Sequence, residues 1–172
     1  MLVLVKSFRW IVVLAALSTG CSKNPDILFE IPMQLDFTIS PGLSPFEKHF
    51  YLVQNVPTNM EVLKEQFSVT ENQELVLRPG SAVLRSFSRV DFDFVQEVTI
   101  SVYETDKDDD TEIFFNNQIP FNAGRNVFIN PIDRDYRDEV DRETLNFKIG
   151  LRFRSITPTS IDSNIEIVFT AE

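Results

Sequence analysis

Apolar and polar side chains alternate with period two along most of this chain beyond residue 30. Ile31, Met33, Leu35, Phe37 and Ile39 alternate with Pro32, Gln34, Asp36 and Thr38, which predicts a strand with one buried face. Pro32 near its start places that strand at a sheet edge, because proline donates nothing to a ladder. Ser40-Pro41-Gly42 ends it. A second extended run covers 46–56, where Phe46, Phe50, Leu52 and Val56 alternate with more polar positions and Pro57 closes the segment. Thr58 and Glu61 have the spacing of a capping box. Met60, Leu63 and Phe67 follow at helical intervals, so a short helix is expected over 59–67, lying on a sheet. Thr70 to Gln73 repeats the box, and Arg78-Pro79-Gly80 is a turn signal.

Strand patterns dominate from there. Residues 81–89 are extended but mixed in polarity. Val98, Ile100 and Val102 alternate with Thr99, Ser101 and Tyr103, the stretch 112–116 is short and aromatic, and Val127 and Ile129 flank Phe128. The clearest pattern is Leu145, Phe147, Ile149, Leu151 and Phe153, followed by Ile165, Ile167 and Phe169. Residues 130–143 interleave opposite charges and place Tyr136 four before Val140. They read as a short helix or an ordered loop capping one end. Seven to nine short strands separated by turn signals predict an all-β fold. The expected architecture is an antiparallel β-sandwich, Ig-like or jelly-roll-like, with one or two short helices.

The first 21 residues follow a different rule. Lys6 and Arg9 precede an apolar core at 10–17, and the small residues Ser18, Thr19 and Gly20 lead to Cys21, the only cysteine. Charge, apolar core and small-residue cleavage site in that order mark a secretory leader. The core is shorter than the ~20 residues a membrane-spanning helix needs. This segment resembles the lipobox of bacterial lipoproteins, with Gly20 before the cysteine and the leucine one place early at Leu17. The resemblance implies that Cys21 carries a diacylglyceryl group and further acyl chains such as palmitate. It implies a signal peptide over 1–20, a lipidated cysteine and short tether over 21–29, and a β-sandwich domain over 30–172. The lipobox, the short tether and the Phe-rich strands together resemble outer-membrane lipoproteins of the Bacteroidetes type. Ser22, which is not acidic, implies sorting to the outer membrane, with the periplasmic and the surface face both open.

Removing 1–20 from the 172 residues leaves 152, enough for one ordinary core. Fifteen of the sixteen phenylalanines lie beyond the leader and suit a ring-packed, strand-rich interior. No cysteine remains for disulfides. Net charge is −10 for the whole chain and near −12 without the leader, which holds two bases and no acid. Such a surface repels phosphate backbones, so nucleic acid is not an expected partner. It also gives no electrostatic attraction to anionic lipid, which leaves attachment to the covalent lipid.

Candidate chemistry is sparse. Asp106, Asp108 and Asp110, with Glu112, resemble the first half of a calcium loop. Thr111 stands where the sharp-turn glycine belongs, and Asn117 where the bidentate glutamate belongs. The competing reading is a solvated hairpin loop, and no other cofactor is expected. His49 is the only histidine. It lacks partners for a structural zinc site, and no Gly-x-Ser-x-Gly elbow accompanies it. Asp91-Phe92-Asp93-Phe94 sets two rings beside two acids, as a sugar contact would, although phenylalanine is more often core. The expected function is therefore a lipid-anchored, non-enzymatic binding or assembly module of the cell envelope, with envelope proteins or glycans as partners. Two alternatives stand beside it: a glycan-binding or adhesin module, and an envelope hydrolase using paired carboxylates. No catalytic residue is assigned.

Overall fold

The computed structural model describes residues 27–70, 73–104 and 110–172. Cys21 and the leader lie outside them, as do Asp106 and Asp108. Among the described residues eight strands form: β1 (Phe29–Ile39), β2 (Lys48–Pro57), β3 (Leu77–Ser86), β4 (Val95–Val102), β5 (Thr111–Asn116), β6 (Asn126–Pro131), β7 (Thr144–Phe153) and β8 (Ile161–Ala171). Two short helices among the described residues, α1 (Met60–Gln66) and α2 (Arg137–Val140), join β2 to β3 and β6 to β7. The expected all-β sandwich is present.

Every pairing is antiparallel, and the strand order is β1-β8-β3-β6-β5-β4-β7-β2. β1 pairs with β8, β2 with β7, β3 with β6 and β4 with β5. That is one long hairpin of four rungs, rolled up so that β3 also meets β8 and β4 meets β7. This connectivity is a jelly roll rather than an immunoglobulin sandwich. Only two residue pairs join β5 to β6, so the roll reads as two four-stranded sheets hinged along that line. On the opposite side the edge strands β1 and β2 lie together without a ladder, and the Phe37 and Tyr51 rings bridge the seam at 4.9 Å. Burial at the seam raises the Tyr51 phenol to about 12, and its hydroxyl has no hydrogen-bond partner among the described residues. Pro32 lies on an edge strand, as its missing amide hydrogen predicts.

The inward faces of β1, β7 and β8 follow the period-two reading. Ile31, Met33, Leu35, Leu145, Phe147, Ile149, Ile165, Ile167 and Phe169 are all buried. Three expectations fail for identifiable reasons. In β2 the buried face is reversed: Phe50 and Leu52 are exposed, as is Phe46 in the loop before it, while Tyr51 and Val53 pack against the core. A bulge between Val53 and Val56, with Asn55 at φ 56°, then shifts the phase and returns Val56 to the interior. Arg78-Pro79-Gly80 is no turn but a bulge inside β3. Gly80 fits there because an added Cβ would lie 3.2 Å from the Val168 carbonyl oxygen and 3.3 Å from Thr170 Cγ2. The capping box also gives way. Asn59 caps α1 from the left-handed region without a side-chain bond. The buried Thr58 hydroxyl instead donates to the Arg142 carbonyl and accepts the Met60 amide at 3.2 Å, tying α1 to the end of α2. The turn at Thr70 is closed by the Gln73 amide at 2.9 Å; Glu71 and Asn72 lie outside the described residues.

The 130–143 segment does cap one end. Tyr136 and Val140 are buried, and the Tyr136 hydroxyl donates to the Glu112 carbonyl at 2.9 Å. Burial raises this phenol as well, offset in part by Arg134. No helix among the described residues is long and apolar enough to cross a membrane.

Candidate functional site

Jelly-roll connectivity sorts the seven connections to two ends. The β2–β3, β4–β5 and β6–β7 connections share one end with both termini, since Phe29 pairs with Ala171 and Leu77 also pairs with Ala171. The β1–β2, β3–β4, β5–β6 and β7–β8 loops share the other. Each of these four loops carries a large apolar side chain turned to solvent: Phe46 is 92% exposed, Phe87 65%, Phe121 77% and Ile156 64%. A single exposed apolar side chain is ordinary. One on every loop sets this end apart from the β4–β5 and β6–β7 connections, whose described residues expose none, while the β2–β3 connection exposes Val62 and Phe67.

The four loops are bonded to one another. Thr157 ties β1–β2 to β7–β8: its hydroxyl donates to the Ser40 carbonyl and accepts the Leu43 amide, both at 2.8 Å, and its carbonyl takes the Gly42 amide at 2.9 Å. Gly42 and Gly124 supply the positive φ that these loops need. The Phe92 amide donates to the Gly124 carbonyl at 2.7 Å, joining β3–β4 to β5–β6. The half-buried Arg154 guanidinium completes the set. It donates to the carbonyls of Asp93, Val95 and Ile119, and its Cζ lies 4.4 Å from the centre of the Phe121 ring. One residue of the β7–β8 loop thus holds two other loops and stacks on an exposed ring.

Charge divides the molecule along the same axis. The four loops hold Glu47, Asp91 and Asp93 against Arg89, Arg125 and Arg154, and so balance. The described connections at the other end hold eleven acidic and four basic side chains. Several pair there, including Arg142 with Glu104 at 2.7 Å and Arg134 with Glu139 at 2.6 Å. A cavity of about 760 Å³ opens at that acidic end between α1, Val69, Thr70, residues 73–75 and α2, with the Lys64–Asp141 ion pair in its wall.

The candidates read from the sequence fall elsewhere. Asp110 pairs with Lys148, and Glu112 is exposed on β5. Among the described residues no three His, Cys, Asp or Glu side chains stand together as metal ligands would. The sugar-contact reading of Asp91 to Phe94 is overturned, because Phe92 and Phe94 are buried and Phe94 lies 5.6 Å from Phe153 in the core. His49 is half-buried on β2. Its Nε2 lies 2.8 Å from the Ser44 carbonyl oxygen and its ring stacks on Phe153, so it orders the loop that carries Phe46. Comparison with known proteins finds no family model that matches the chain and no similar curated protein.

Proposed function

We propose that this chain is a lipid-anchored module of the cell envelope, non-enzymatic, that binds or assembles with a partner through its four-loop end. The observation that carries the reading is the placement of Phe46, Phe87, Phe121 and Ile156 at the end opposite the termini. Strands of ten or eleven residues put that end roughly 35 Å from Phe29. The chain between Cys21 and Ile27 spans at most about 20 Å even fully extended. With Cys21 acylated, the acidic end stands next to the bilayer and the apolar end faces away from it. Acidic side chains next to anionic headgroups hold the domain off the surface, while two or more acyl chains make the attachment durable.

Fractionation of cells tests the anchor. The native chain is expected in the outer-membrane fraction, and Cys21→Ser is expected to move it to a soluble fraction without lowering its thermal stability. A Cys21→Ser chain that remains with the membrane would overturn the lipid anchor while leaving the loop surface untouched.

A further inference from the structure

We infer that the start of β1 and the end of α1 form an apolar foot that rests on the bilayer holding Cys21. The inference deepens the lipid-anchor reading and stands on it. Ile27, Leu28 and Phe67 are large apolar side chains exposed at the terminal end. Their backbone is held in place. The Leu28 amide donates to the Ala171 carbonyl at 2.8 Å, which pins the chain to β8 one residue before β1 begins. Phe67 closes α1: its amide donates to the Leu63 carbonyl at 3.0 Å, and the Val69 amide turns back to the Lys64 carbonyl at 2.9 Å. The Phe67 ring lies 5.4 Å from the ring of Phe29, the residue directly after Leu28. The helix end and the strand start thus meet at one buried ring.

Tether length selects the occupant. An acylated Cys21 keeps Ile27 within about 20 Å of its acyl chains. The charges of the tether, Lys23 and Asp26, cancel, so the segment itself is not driven from the headgroups. Covalent attachment makes contact between foot and bilayer intramolecular, and a patch too small to hold a free protein on lipid is engaged once the chain is anchored. Repulsion from anionic headgroups falls unevenly on this end. Of its eleven described acids, two lie on the β4–β5 connection and six on β6–β7. Three, Glu61, Glu65 and Glu74, lie on the β2–β3 connection that carries Phe67. The domain is therefore held off on the α2 side and comes down on the side where β1 and Phe67 meet. Side chains of this type sit about 5–10 Å into the boundary between headgroups and acyl chains.

Tryptophan fluorescence tests the contact. Trp10 is the only tryptophan and lies in the leader, so one introduced into the mature chain reports its own surroundings. Phe67→Trp, Leu28→Trp and Phe121→Trp chains are purified from membranes, checked for acylation by intact mass, and placed in phosphatidylethanolamine–phosphatidylglycerol vesicles. The lipids are either plain or brominated near the top of the acyl chains. Bromine is expected to quench Phe67→Trp and Leu28→Trp strongly and to leave Phe121→Trp, at the four-loop end, unchanged. Full emission from both Phe67→Trp and Leu28→Trp in chains that float with the vesicles would overturn the foot and leave the anchor standing. Equal quenching of Phe121→Trp would overturn it too, because the domain would then lie along the surface. A mature chain without acyl groups would remove the anchor and the foot together.

Discussion

Arg154→Ala is expected to lower the unfolding free energy by about 3 kcal/mol and to loosen the β3–β4 and β5–β6 loops together. The guanidinium serves three carbonyl groups on two loops, Asp93, Val95 and Ile119. Alanine leaves these acceptors partly enclosed without a donor, and an unsatisfied buried acceptor costs roughly 1–3 kcal/mol. Loss of the stacked cation under Phe121 adds about 0.5–1 kcal/mol. Arg154→Lys is expected to recover less than half, since one ammonium cannot fork to carbonyls on two sides. Denaturant unfolding gives the stability change, and hydrogen exchange gives the location. Faster exchange is expected at the Phe92 and Gly124 amides, with little change at the Leu63 and Val140 amides at the far end. A loss below about 1 kcal/mol, or a uniform rise in exchange, would mean that Arg154 is a solvated surface group.

Phe169→Ala is expected to cost about 4 kcal/mol, the range for deleting a buried ring. Phe169 lies on β8, between Ile31 of β1 and Pro79 of β3. Its ring meets Phe114 of the facing sheet edge-on at 6.0 Å and Tyr136 of the capping segment at 6.3 Å. It therefore joins both sheets and the cap in one contact set. The residual cavity cannot collapse easily, because its walls belong to ladders whose registers are fixed by hydrogen bonds. The loss should appear as a lower denaturant midpoint with an unchanged slope. Unlike Arg154→Ala, it should leave the protection of the Gly124 and Phe92 amides unchanged relative to global unfolding. A cost under 2 kcal/mol would contradict the shared-core role.

The contrast between these two residues shows what the sequence could and could not disclose. Phe169 was legible: it sits in a period-two run whose inner face is buried by both a neighbour sheet and a cap. β1 and β7 read equally well for the same reason. β2 did not, because an edge strand beside an open seam can turn Phe50 and Leu52 outward and bury Tyr51 and Val53 instead. Hydropathy then carries the wrong parity, and the bulge at Asn55 conceals the error by restoring Val56. Pro79-Gly80 looked like a turn because proline rarely enters a ladder. Here Pro79 precedes the Ala82–Arg85 stretch that pairs with β6, so its missing amide hydrogen breaks no bond on that side.

The loop surface had no sequence signature. Phe46, Phe87, Phe121 and Ile156 are separated by 41, 34 and 35 positions, and each alone resembles an ordinary core or surface residue. Only the rolled connectivity brings their loops to one end. Arg154 was equally silent, since its three acceptors are backbone carbonyls that carry no residue preference. The acidic run at 106–112 stands out in composition, yet Asp110 is engaged by Lys148 and Glu112 faces solvent on β5.

The claim that the four-loop end is where this protein meets a partner is tested most directly by the size of the complex it forms in its own membrane. Full-length chain and its Phe46→Glu/Phe87→Glu variant, extracted with surrounding lipid in an amphipathic polymer, can be compared by sedimentation. The native chain is expected to run as a larger assembly, and the variant as a single chain that still melts at the native temperature and still cofractionates with lipid. An identical sedimentation profile for a folded, membrane-bound variant would contradict the account.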